Sequence, residues 1–117
     1  MNQQELGIYG ENLACNFLIK KGYTILIRNY HYRKNEIDII ATFENQLVIV
    51  EVKTRQTAEI GEPWRAVTRS KQKSIIQVTN DYIFKENIHF ETRFDIISIV
   101  HNGFRTDIEH IEDAFSC

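Results

Sequence analysis

Asn35-Glu36-Ile37-Asp38-Ile39-Ile40 and, after a short turn, Leu47-Val48-Ile49-Val50-Glu51-Val52-Lys53 set three acids and a lysine inside two strongly apolar strands. A carboxylate or ammonium taken out of water without a partner costs enough to shift its pKa or unfold the segment, so these charges need compensation. An antiparallel hairpin over 36–43 and 46–54, with Glu44-Asn45 as a two-residue loop, pairs Phe43 with Gln46 and carries that register back along both strands. Asp38 then faces Glu51, and Glu36 faces Lys53. Side chains alternate with period two, which projects Glu36, Asp38, Glu51 and Lys53 from one face and leaves Ile37, Ile39, Val48, Val50 and Val52 for the other. Like charges opposed in a sheet are destabilising, so Asp38 against Glu51 points to a divalent cation or a shared proton between them. Glu36, opposite Lys53, is placed to orient or neutralise that lysine rather than to ligate metal.

A chain of 117 residues, 43% apolar and 26% charged, predicts one globular domain over 1–117 with a real core. No run approaches the length of a membrane span, and Met1-Asn2-Gln3-Gln4-Glu5 has neither the basic nor the apolar part of a signal peptide, which predicts a cytoplasmic protein with no membrane partner. Cys15 and Cys117 form no metal spacing and no disulfide framework. The net charge is only −2, but nine of the 14 basic residues lie between Arg28 and Lys73, against six acids, three of them in the proposed site. From Ser74 onward three basic residues meet eight acids. That asymmetry predicts a basic working side suited to an anionic substrate.

Residues 2–21 read as an amphipathic helix with Leu6, Tyr9, Gly10, Leu13 and Phe17 as its apolar stripe. Glu11 lies on the flank beside Gly7, Ala14 and Leu18, bordering the buried face, and small neighbours permit close packing there. A strand over 23–33 interleaves bases and aromatics, with Arg28, Tyr30 and Tyr32 on one face and Asn29, His31 and Arg33 on the other. This suits either a nucleic-acid contact or a polar edge strand. Arg55 to Pro63 reads as a loop on the side of the acids, and Pro63 begins a helix that runs to about Lys85. Arg65, Arg69, Lys71 and Lys73 form an acid-free cluster near its start, placed to hold a phosphodiester backbone. Phe94 to Val100 reads as a buried strand, Asn102-Gly103 as a type I′ turn, and Phe104 to Ile111 as the returning partner. Asp95 within that strand reads as a buried, hydrogen-bonded structural acid. The order α-β-β-β-α-β-β predicts an α/β fold, a mixed sheet flanked by helices.

There is no Gly-rich phosphate loop, no Cys/His metal spacing and no nucleophile elbow. What remains is Asp38 and Glu51-x-Lys53 on neighbouring strands. Two hard carboxylate oxygens suit Mg²⁺ or Mn²⁺, with the Val52 backbone carbonyl as a third ligand. Lys53 would position an attacking water or neutralise developing charge.

Ile37-Asp38 with Val50-Glu51-Val52-Lys53 resembles the core of the PD-(D/E)XK nucleases, with isoleucine in place of the proline. More widely, the chain resembles the YraN family of endonuclease-like proteins in Gly10-Glu11, Gly22-Tyr23, Arg28-Asn29, Glu36-Ile37-Asp38, Pro63, Lys71, Arg93-Phe94-Asp95 and Ile108-Glu109-His110, a likeness over nearly its whole length. It departs at Asn35, where that family has glycine, which bears on the shape of the preceding turn. The resemblance implies a restriction-endonuclease-like fold similar to archaeal Holliday-junction resolvases, in which a first-helix glutamate, here Glu11, joins Asp38, Glu51 and Lys53. It implies a Mg²⁺-dependent endonuclease acting on DNA, branched or damaged; from the charge distribution, Arg28, Arg55, Arg65, Arg69, Lys71 and Lys73 are the candidate phosphate contacts. Resolving a junction takes two sites, and so implies a homodimer. The alternative is a non-catalytic DNA-binding or scaffolding module that keeps the fold and the basic face.

Overall fold

Alternating apolar positions build five strands, and two helical periodicities supply the layers that cover them. The computed structural model describes residues 1–57 and 67–116. In chain order these form α1 (Gln3–Lys20), β1 (Thr24–Tyr32), β2 (Asn35–Phe43), β3 (Gln46–Arg55), α2 (Arg69–Glu86), β4 (Glu91–His101) and β5 (Thr106–Phe115). The strands make one sheet in the order β1-β2-β3-β4-β5. All pairs are antiparallel except β3 with β4, between which α2 forms the crossover. This is the expected mixed α/β sheet, with elements in the expected order. Gly61, Pro63 and Arg65 lie outside the described residues, as does Cys117. The second helix itself starts at Arg69, where the Thr68 hydroxyl accepts the Lys71 N–H as an N-cap. No helix among the described residues is long and apolar enough to cross a membrane.

Each helix covers one face. On the first, Ala14, Cys15 and Leu18 of α1 pack on Ile39, Val48, Val50 and Ile97. On the second, Ile75, Val78 and Tyr82 of α2 pack on Ile37, Ile40, Leu47, Ile49 and Ile96. Burying a side chain of this size contributes about 2 kcal/mol, so these two layers hold most of the folding energy. The buried line of α1 is Leu6, Gly10, Ala14 and Leu18, shifted from the predicted stripe: Tyr9, Leu13 and Phe17 are half-buried at its margin. Gly10 sets the helix-to-sheet distance, because a Cβ there would meet the Thr54 hydroxyl at 1.9 Å. Gly7, by contrast, faces open space.

The β2–β3 hairpin has the predicted register, from Phe43↔Gln46 to Ile39↔Val50. Glu44 and Asn45 both have positive φ, 47° and 64°, as a type I′ turn requires. The β4–β5 turn differs from expectation. His101 pairs with Thr106, leaving a four-residue connection in which Gly103 has positive φ but Asn102 does not, so the two-residue I′ geometry is unmet. The strand that returns therefore starts at Thr106 rather than Phe104. Asp95 is the structural acid expected: fully buried, it accepts from Arg93 (2.9 and 2.8 Å), pairs with His110 Nε2 at 2.7 Å, and accepts the Asp113 N–H at 3.0 Å. Burial works against its charge, but the His110 and Arg93 hydrogen bonds outweigh it and hold the carboxyl below its ordinary pKa.

The alternation of faces breaks on β1 at the bulge between Ile25 and Ile27, and again on β1 and β2 together. Ile39 belongs to the α1-side core and Ile37 to the α2-side core, although both have the same parity. The same exchange occurs on the paired strand. Arg28 reaches Glu11 on α1, whereas Tyr30 donates its hydroxyl proton to Asp81 on α2. The β1–β2 ladder passes from Arg28↔Ile39 to Tyr30↔Ile37, and Asn29, skipped between them, has a φ of 54°. Both strands change faces in one step at Asn29 and Asp38. The predicted groupings of Ile37 with Ile39, and of Arg28 with Tyr30 and Tyr32, fail for this reason.

Candidate active site

The ladder between β2 and β3 ends at Ile39↔Val50, one residue short of the acids. Past that point, the Asp38 carboxylate accepts the Val52 N–H at 2.8 Å, so a side chain satisfies a strand amide in place of a backbone carbonyl. The missing backbone pair leaves Asp38 at the seam between β2 and β3. Asp38 and Glu51 remain neighbours there, each acting on the other's titration.

Their environments differ. Asp38 is half-buried and lines a cleft of about 760 Å³ at the end of the sheet, together with Glu11, Arg28, Asn29, Lys53 and Arg55. Glu51 is 6% exposed and does not line the cleft. Its Oε1 lies 3.7 Å from Lys71 Nζ, and its Oε2 has no hydrogen-bond partner, the one buried side-chain oxygen or nitrogen so placed among the described residues. Burial, then the charge of Asp38, raise the Glu51 pKa to about 8, against the lowering influence of Lys71 and Lys53. Burial also raises Asp38; the Val52 N–H opposes this, while the charges of Glu11 and Glu36 add to it.

Glu11 reaches the cleft because Gly10 brings α1 against Thr54 of β3. One of its oxygens, Oε1, takes Arg28 Nε at 3.1 Å, Arg28 Nη2 at 3.0 Å and Asn29 Nδ2 at 3.0 Å. Arg28 also donates to Asn12 Oδ1 at 2.8 Å. Arg28 thus holds the helix acid as well as facing the cleft. Simple alternation puts Asn29 on the opposite face from Arg28, but its left-handed backbone turns it inward beside Glu11. Asparagine's tolerance of positive φ is the sequence signal for that turn of the strand.

Glu36 is not opposite Lys53. The side-chain carboxylate pairs with His31 Nε2 at 3.2 Å, on the neighbouring strand. The face switch at Asp38 breaks the alternation that would have aligned Glu36 with Lys53. Lys53 lines the cleft with Asp38 and makes no ion pair among the described residues. Of the basic cluster, Lys71 comes to the acid pair, while Arg69 and Lys73 are exposed and do not line the cleft. Asn35 pairs with Tyr32, and the turn before it takes its positive φ at Arg33 (57°), so the backbone conformation that favours glycine lies two residues before Asn35.

The donor set fits a hard divalent cation: two adjacent carboxylates, one with a buried oxygen that no N–H or hydroxyl reaches, and which a proton shared with Asp38 satisfies when Glu51 is neutral. No group of three or more His, Cys, Asp or Glu side chains among the described residues is arranged to hold a metal. Two protein carboxylates, completed by water and phosphate oxygens, are nonetheless a common Mg²⁺ arrangement.

The sequence profile described as Uncharacterised protein family UPF0102 matches residues 10–99, which include Glu11, Asp38, Glu51 and Lys53. A UPF0102 protein of Flavobacterium psychrophilum is 46% identical over 111 residues, covering 95% of this chain and 93% of the relative. One from Prosthecochloris aestuarii is 45% identical over 118 residues, covering 95% and 93%. One from Clostridium botulinum is 45% identical over 115 residues, covering 96% and 94%.

Proposed function

The chain belongs to the UPF0102 family, and from that premise we propose that it is a metal-dependent endonuclease of the PD-(D/E)XK kind, hydrolysing phosphodiester bonds in DNA. The observation that carries this is the unpartnered buried oxygen of Glu51 beside Asp38. A buried carboxylate without a partner is a costly arrangement, and a fold retains it where a ligand completes it. Asp38, Glu51 and the Val52 carbonyl would hold Mg²⁺ or Mn²⁺. Bound there, such an ion supplies Lewis acidity toward a phosphoryl oxygen and lowers the pKa of a coordinated water.

This chain's own residues do the remaining work. Asp38 is oriented by the Val52 amide, so its free edge faces the cleft. Lys53 presents an ammonium in the same cleft, suited to orient the nucleophilic water or to offset charge on the transition state. Glu11, fixed through one oxygen by Arg28 and Asn29, keeps its other oxygen available as a third acid. Arg28 and Arg55 supply positive charge along the walls for the phosphates on either side of the scissile bond.

The test is cleavage of a panel of junctions, flaps and duplexes with Mg²⁺ or Mn²⁺. Cleavage that disappears in both Asp38→Asn and Lys53→Ala supports the assignment; cleavage that persists in both variants belongs to a contaminant and removes it. A second reading rests on Lys71, which already gives Glu51 a counter-charge without metal. In it the protein is a non-catalytic DNA-binding module. Calorimetric titration separates the two: a site lost in Asp38→Asn favours the nuclease, and salt-sensitive DNA binding indifferent to metal favours the module.

A further inference from the structure

A second concavity, of about 460 Å³, lies between the β1–β2 turn and the outer side of α2, lined by Tyr32, Arg33, Gln77, Asn80, Asp81 and Phe84. Its chemistry has no part in the acid site. Phe84 is 87% exposed, an unusual position for a large apolar ring on a helix whose inner side is well covered. Tyr32 is half-buried, with two cations over its ring: Arg33 Cζ at 5.2 Å and Lys85 Nζ at 5.9 Å from the centroid. Gln77 and Asn80 are exposed amides, each offering a donor and an acceptor. The acid, Asp81, is engaged: it accepts the Tyr30 hydroxyl at 2.7 Å and pairs with Lys85 at 3.3 Å. Its charge is therefore balanced locally.

We propose that this concavity binds an unpaired nucleobase of single-stranded nucleic acid, stacked between Tyr32 and Phe84. Two aromatic walls, amides able to read a base edge and an arginine beside the ring are the elements with which proteins hold an unstacked base. A purely apolar ligand would leave Gln77 and Asn80 unused. An anion without a ring would leave Phe84 unused. The concavity lies on the α2 side of the sheet, whereas the cleft of Asp38 is lined from the α1 side by Glu11 and Arg28. Tyr32 pairs with Asn35, three residues before Asp38 along β2, so a nucleic-acid strand that touched both would pass round the edge strand β1. The proposal rests on the nuclease assignment for its biological setting, and it adds to that substrate an affinity for unpaired nucleotides.

The test is fluorescence anisotropy of a labelled oligothymidylate in EDTA, so that no cleavage occurs, against the same backbone carrying abasic sites and against a blunt duplex. Wild type is expected to bind oligothymidylate more tightly than the abasic strand. Phe84→Ala should weaken oligothymidylate binding about tenfold, the size of one lost base–aromatic stack, and leave the abasic strand unchanged. Because Phe84 is exposed, its removal does not empty the core; Gln77→Ala is a second surface variant expected to weaken binding in the same direction. Equal affinity for the two strands, or a Phe84→Ala protein that binds oligothymidylate as wild type does, overturns the proposal. The anisotropy is read without metal and needs no cleavage, so failure of cleavage in the substrate panel leaves its result standing, and the two assignments fail separately.

Discussion

Asp38 accepts the Val52 N–H at 2.8 Å just where the β2–β3 ladder stops, so the acid takes the place of a strand carbonyl. The side chain that would serve chemistry also closes the end of a sheet. The geometry depends on the skipped position beside it, Asn29, whose φ is 54°.

Asn29 has two separable contributions, a backbone conformation and a hydrogen bond to Glu11. Asn29→Ala should cost about 1–2 kcal/mol, because alanine is strained in the left-handed region that asparagine tolerates. Asn29→Gly should restore most of that stability while still freeing Glu11 from one of its donors. Urea denaturation of both variants checks this, and equal losses would place the whole effect in the side chain.

Gly10 holds α1 close to Thr54. Gly10→Ala should destabilise by about 1–3 kcal/mol through overpacking, since its Cβ would lie 1.9 Å from the Thr54 hydroxyl. The helix must shift outward, carrying Glu11 away from Asp38. Thermal unfolding of Gly10→Ala beside Gly10→Ala/Thr54→Gly measures the strain, and the double variant should recover part of the loss.

Acid should loosen the pairing of β4 with β5 first. The Asp95 pKa lies below its ordinary 3.8, so its contribution to stability is complete above that value and is lost as the pH falls through the folded one. Asp95→Asn should cost about 3 kcal/mol at neutral pH by removing the buried charge that Arg93 pairs with and one of the two oxygens that Arg93, His110 and the Asp113 N–H share, and its stability should vary less with pH on the acid side. Denaturation midpoints between neutral and strongly acidic pH in the two proteins test the sign.

Glu51 should behave in the opposite way when mutated. With chelator present, Glu51→Gln is expected to be more stable than wild type at neutral pH, by about 1 kcal/mol, because folding raises Glu51 to about 8 and makes it take up a proton that a neutral amide does not need. The same substitution should remove metal-induced stabilisation. A shift in melting temperature on adding Mn²⁺ that survives in Glu51→Gln would exclude it as a ligand.

Apolar periodicity makes most of the fold legible in the sequence. The hairpin register is readable because Glu44-Asn45 does adopt a type I′ turn, and two strands joined by so short a loop have little freedom to slip. The element order follows from strand and helix periods alone. Strict alternation fails at Asn29 and Asp38, an unpaired step at which both strands exchange faces without a change of register, and this misplaces Glu36, Asn29, Ile37 and the Arg28 face. A periodicity of two contains no information about a step that keeps pairing while exchanging sides. The link from Lys71 to Glu51 is half legible: Lys71 falls on the apolar stripe Val67, Ile75, Val78 and Tyr82 at spacings of four, four, three and four, which marks it as inward, but its partner depends on how α2 crosses the sheet. Asp95 is readable as structural because an acid between Phe94 and Ile96 has to be satisfied. Its partners, from β5 and from two residues upstream, follow from strand pairing.

The shared face exchange at Asn29 and Asp38 ties two hydrophobic cores to one acid. On one side of it, Arg28 and Ile39 face α1; on the other, the same-parity Tyr30 and Ile37 face α2. Deleting one residue from either strand would send apolar side chains into water on both sides at once, so Asp38 cannot drift along its strand by small steps. Inheritance of the fold and inheritance of the acid's position are therefore a single event, and a damaged variant at this crossing should be recognised in cells as a protein that fails to accumulate before it is recognised as one that fails to act.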